Sequence, residues 1–128
     1  MIVFKNSLYS FALIEKYNIL RFDWTEKTAT MTYEDFQEAC QNYAGFVIEN
    51  KSLKLLVDTR NFKTQLPDAY LEWREKELNP RYYKVGVEKF AYLIPTESMK
   101  FVDIFPIEGV FQTCYFDDKT EAIAWLNQ

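Results

Sequence analysis

The sequence predicts an α/β domain: a mixed β-sheet of about five strands that opens with an antiparallel hairpin and carries about four helices. Three patterns support this expectation. Between residues 8 and 24, two short strand-like runs flank a polar turn, and in the second, apolar and polar residues alternate, as a strand with one wet face requires. Between residues 36 and 48, apolar residues recur at steps of three and four, the stripe of a helix lying on a core. Residues 53–57, Leu-Lys-Leu-Leu-Val, form an almost unbroken apolar run, which suits a central strand covered on both faces.

The hairpin comprises residues 8–14 and 19–24, joined by Glu15-Lys-Tyr-Asn18. In its second strand Leu20, Phe22 and Trp24 alternate with Arg21 and Asp23. A polar turn over 25–28 leads to the first helix. Thr32 precedes that helix with Asp35 three residues on, a hydroxyl and an acid suited to its positive end. Gly45 costs about 1 kcal/mol there against alanine and allows a close neighbour. After the strand at 53–57, Pro67 suits the first position of a second helix. It carries Tyr70, Trp73 and Glu77 along one row and Leu71 and Leu78 along another, and Asn79-Pro80 is expected to end it. A strand follows within 85–94, clearest at 90–94. Pro95-Thr-Glu-Ser98 starts a short helix, 110–116 is the last strand, and Asp118 with Glu121 opens a final helix as an acidic capping box. Ala122, Trp125 and Leu126 dock that helix on the sheet. Right-handed crossovers place the helices against one sheet.

At 128 residues with 48% hydrophobic and 27% charged composition, the chain reads as one globular domain over 1–128. A net charge of −4 argues against nucleic acid, because a duplex binder needs a basic face to displace counterions. The patch Arg74, Lys76, Arg81 and Lys84 reads as a solvated helix end, interleaved with Glu72, Glu75 and Glu77. The longest apolar stretch, Phe90–Pro95, is far short of the about 20 residues of a membrane span. No signal peptide is expected at the N-terminus. Cys40 and Cys114, each in an apolar pattern, read as reduced buried thiols of a cytoplasmic protein.

Chemistry is constrained by what is scarce. The chain has no histidine, which removes the usual neutral-pH base and the commonest metal ligand. Two distant cysteines offer no zinc spacing, and the separated Gly45, Gly86 and Gly109 build no phosphate loop. No cofactor and no metal are expected. Asp58, at the carboxyl end of the central strand, lies where open α/β sheets gather ligands. Arg60 could clamp an anion there, with Asn61 beside it and Asp23 as a second acid. The structural reading, the favoured one, has Asp58 accept amides of the following turn while Arg60 pairs with it. Trp24, Tyr70 and Trp73, with Phe62, either wall a pocket beside Asp58 or pack the core. Aromatic residues make up 18% of the chain, a surplus that fits a pocket, a partner surface or a core rich in rings. Tyr82-Tyr83, read as exposed before a strand, is a candidate dimer contact.

Trp24, the run Leu55-Leu-Val-Asp-Thr-Arg-Asn61, Trp73 and the closing Phe116-Asp-Asp with Ala122-Ile-Ala-Trp-Leu126 give the chain a resemblance to STAS-like proteins, relatives of anti-sigma-factor antagonists, and in particular to a bacterial branch of them. The resemblance runs from the hairpin to the C-terminus. It implies a small, cytoplasmic, non-enzymatic module that binds a protein or a small ligand, with any switch at the start of the second helix. Regulated members carry a phosphorylated serine there in Asp-Ser-Ser-Gly. This chain has Asn61-Phe-Lys-Thr-Gln-Leu-Pro-Asp68 instead, so Thr64 is the single hydroxyl near that place.

The expected function is therefore a non-catalytic binding or regulatory module that self-associates as a homodimer. The alternative is a small enzyme using carboxylate acid/base chemistry around Asp58, with Asp23 or Glu72. A third reading, resting on net charge alone, is an acidic adaptor for a basic protein.

Overall fold

A computed structural model describes residues 1–103 and 105–128. Six strands form one sheet in sequential order: β1 (Ile2–Lys5), β2 (Tyr9–Ile14), β3 (Ile19–Trp24), β4 (Lys54–Asp58), β5 (Lys89–Leu93) and β6 (Gln112–Phe116). β1, β2 and β3 pair antiparallel, and β3 through β6 pair parallel. The α-helices are α1 (Tyr33–Asn50), α2 (Tyr70–Trp73), α3 (Asn79–Val85) and α4 (Lys119–Leu126). The mixed α/β class expected from sequence is the fold observed, with one strand more than the five anticipated.

Alternation along the strands sorts side chains onto two faces. On one face Phe11, Leu20, Phe22, Trp24, Leu55, Val57 and Phe90 pack beneath α1 and α3. On the other, Ile19, Leu56, Ala91, Leu93 and Cys114 meet Ala122, Trp125 and Leu126 of α4. β4 is sandwiched between these layers, and its residues 55–58 are all buried. The α1 terminus forms as expected: the Thr32 hydroxyl accepts from the Asp35 amide at 3.1 Å, and Asp35 accepts from the Thr32 amide at 3.2 Å. At α4 the Asp118 carboxylate accepts from the Thr120 and Glu121 amides.

Three expectations need correction. β1 was not anticipated: four residues at the sheet edge, with an irregular register to β2, give too little alternation to read. The second helical segment starts at Tyr70, not at Pro67, whose carbonyl closes a turn to the Tyr70 amide. Nor does Asn79-Pro80 end it. Residues 74–78 widen into a π-helical turn in which the Asn79 amide reaches back five residues to the Arg74 carbonyl. That wider turn relieves the clash a proline makes with the preceding turn, so helix runs on through α3. It ends at Gly86, whose left-handed φ of 84° closes the segment at no Cβ cost. Gly45 lies in α1 where Arg81, on α3, passes close by.

Candidate functional site

Two polar and aromatic groupings lie near the carboxyl ends of the central strands, on opposite faces of the sheet. Asp58 follows Val57 in β4 and points to the α4 face, whereas Val57 belongs to the core under α1. Both Asp58 oxygens are engaged by Arg60: Nε donates to Oδ1 at 3.0 Å and Nη2 to Oδ2 at 2.8 Å. The Arg60 amide also donates to Oδ1 at 3.0 Å. This double contact holds Arg60 above its ordinary pKa. Asp23 is the register partner of Asp58 across β3 and β4. Arg21 pairs with it at 3.0 Å. Burial pushes the Asp23 carboxyl up, Arg21 opposes the rise, and the neighbouring Asp58 adds to it. Glu72 is elsewhere, ion-paired with Lys76 on the surface.

The other face holds a cavity of about 140 Å³ between the sheet, α1 and the 70–85 helical segment. Rings make most of its wall: Phe22 and Trp24 from β3, Phe36 and Tyr43 from α1, Phe62 from the loop after β4, and Phe90 and Tyr92 from β5. Trp24 is 4% exposed and stacks on Phe36 at 5.5 Å, with Phe62 edge-on at 5.1 Å. It is both a core residue and a cavity wall. The polar lining consists of Thr59, Cys40, Arg74 and the tyrosines 43, 70, 82 and 92. Thr59 is spent on the Leu93 carbonyl at 2.8 Å, and Tyr43 on the Leu20 carbonyl at 2.6 Å. Burial pushes the Cys40 thiol well above its usual range, which makes it inert as a nucleophile.

The residues singled out from sequence are thus divided. Trp24 and Tyr70 share the cavity, whereas Asp58 and Arg60 lie behind the sheet from it. Trp73 does not line the cavity; it leans on Tyr33 and Phe36 with ring centres 6.3 Å away. Asn61 is exposed, its carbonyl near the Thr28 hydroxyl at 3.4 Å. The Thr64 hydroxyl donates to the Thr28 carbonyl, so it ties the loop down. Tyr82 and Tyr83 lie in α3, not in a loop before a strand. Tyr82 is 3% exposed and meets Phe90 edge-on, because a step of four from Leu78 turns it inward. Tyr83 is left at the surface.

Arg74 is the residue sequence reasoning misplaced. Its charged neighbours in sequence predict a solvated basic patch, yet it lines the cavity, its guanidinium 5.4 Å from the Phe90 ring centre and 5.5 Å from that of Tyr92. The Tyr92 phenol foremost, with those of Tyr70, Tyr82 and Tyr115, outweighs the opposing effect of burial and holds Arg74 above its ordinary pKa. A signal existed: Tyr70, Arg74, Leu78 and Tyr82 recur every four residues and all four line the cavity. Among the described residues, no cluster of three His, Cys, Asp or Glu side chains is placed to hold a metal, and no helix is long and apolar enough to cross a membrane.

A layered sheet with an aromatic cavity under one helical face, and its strand-end acids tied to arginines on the other, makes a small mixed α/β domain. A family model described as SpoIIAA-like matches residues 19–127. The chain belongs to the SpoIIAA-like family, whose members are typically regulatory protein-binding modules. No curated protein and no solved structure matches it.

Proposed function

We propose that this chain is a non-catalytic binding module, residues 1–128 forming one STAS-like domain, that takes a small ligand into the aromatic cavity and acts in the cytoplasm as a regulatory partner of other proteins. The observation that carries the reading is the separation of the two groupings. Among the described residues no carboxylate lines the concave, ring-lined space suited to a ligand, and Asp23 and Asp58, the acids that an enzyme would need, are each bound to an arginine behind the sheet. Asp58 and Asp23 therefore hold local structure, which weighs against the carboxylate-enzyme alternative. Titration with neutral benzyl alcohol, followed by the Trp24 indole signal in NMR spectra, tests the cavity. A saturable shift is expected; an unmoved Trp24 signal at millimolar alcohol overturns the reading.

Self-association belongs to the same proposal. Leu71, Phe101, Phe105 and Val110 are each more than two-thirds exposed, apolar side chains that a second copy of the chain would cover, with Tyr83 also at the surface. Sedimentation should give a dimer mass at micromolar concentration. A monomer across that range removes this part of the proposal.

A further inference from the structure

Among the described residues, Arg74 is the one cation that lines the cavity, and its company is peculiar. Arg74 makes no ion pair with any carboxylate among the described residues; the three salt bridges found involve Arg21, Arg60 and Lys76. Its neighbours are rings and phenols: Phe90 and Tyr92 beneath the guanidinium, with Tyr70 and Tyr82 on the same cavity wall. Withdrawing even part of a guanidinium from water without a counter-charge is costly, and contact with two ring faces and the Tyr70 hydroxyl returns only part of that cost. A carboxylate entering the cavity would supply the missing charge in the two-pronged geometry guanidinium favours. The remaining wall carries no charge and is mostly rings, and the space is small: a dry cavity of about 150 Å³ accepts benzene, and this one measures about 140 Å³.

Resting on the proposed ligand-binding role of the cavity, we infer that its ligand is a small apolar monocarboxylate, one ring or a short chain, whose carboxylate pairs with Arg74 while its apolar part lies among Trp24, Phe36 and Phe62. The cation selects the acid, and the rings and the limited volume select a compact apolar body.

Benzoate, benzyl alcohol and inorganic phosphate distinguish the parts of this inference. Their binding is measured by calorimetric titration on the full chain, on Arg74→Gln and on Arg74→Lys. Benzoate should bind the wild type at least about tenfold tighter than benzyl alcohol, and phosphate should not displace it. Arg74→Gln should erase the preference for the acid while retaining the alcohol, and Arg74→Lys should keep part of it. Equal binding of acid and alcohol to the wild type would overturn the role of Arg74 and leave the cavity reading standing. Absence of binding by both would overturn the two together. Phosphate competing as well as benzoate would overturn the apolar half. Should Arg74→Gln not fold, the acid-to-alcohol comparison on the wild type still decides.

Discussion

Arg60 grips Asp58 through two parallel contacts of 3.0 and 2.8 Å, and this pair closes the carboxyl end of the central strand. The Asp58 side chain is 12% exposed and that of Arg60 42%, so the carboxylate depends on its partner more than the guanidinium does. Arg60→Ala should lower the unfolding free energy by about 1–2 kcal/mol, measured by urea denaturation. The double variant with Asp58→Asn should be less damaging than the sum of the single ones, since it leaves no carboxylate without its arginine. Asp58→Asn should leave benzoate affinity unchanged, because Asp58 lies on the far side of the sheet.

Thr28 is fully buried between the turn after β3 and the loop after β4. Its hydroxyl donates to the Thr25 carbonyl at 2.8 Å and accepts from the Lys63 amide at 2.9 Å. Thr28→Val preserves shape but leaves that amide without its acceptor. A loss of about 1–3 kcal/mol is expected, together with faster hydrogen exchange at Lys63, the signature of a loop released from its anchor.

Gly86 ends α3 in the left-handed region, and among the described residues none beyond its own chain neighbours comes within 4 Å of where a Cβ would stand. The cost of Gly86→Ala is therefore backbone strain alone, about 1 kcal/mol. Gly86→Asn should cost less, since asparagine tolerates that conformation. Thermal melts of the two variants give the comparison.

Asp23 makes stability depend on acid pH. Burial raises its native pKa above the unfolded value of 3.8, so the native state holds this proton when the unfolded chain has released it. The stabilisation is complete below the unfolded value and is lost as pH climbs through the raised one. Relative to Asp23→Asn, the wild type should lose stability with rising pH across that window. Denaturant melts at stepped pH would contradict this if the two curves ran parallel.

Much of this architecture was legible because it repeats. The hairpin, α1, β4 and α4 each display their buried face at a regular period, and the capping pairs Thr32 with Asp35 and Asp118 with Glu121 mark helix starts. The irregular pieces were not legible. A π-turn leaves no periodic trace, so Pro80 read as a stop. β1 is four residues long and sits at an edge. The candidate site was harder still, because it was assembled from residues close in sequence. Parity along β4 separates Val57 from Asp58, and parity along β3 separates Asp23 from Trp24, which splits the acids from the rings. Arg74 was hidden by its acidic neighbours Glu72, Glu75 and Glu77, although its spacing from Tyr70, Leu78 and Tyr82 placed it inward.

The division of the molecule into a ligand-taking face and a structural face is tested most directly by mapping benzoate-induced NMR shifts on the wild-type chain. Shifts should gather at the Trp24 indole, the Phe36 and Tyr92 rings and the Arg74 Nε–H, leaving the Nε–H signals of Arg21 and Arg60 in place. Movement of the Arg21 and Arg60 signals with an unmoved Trp24 would contradict the account.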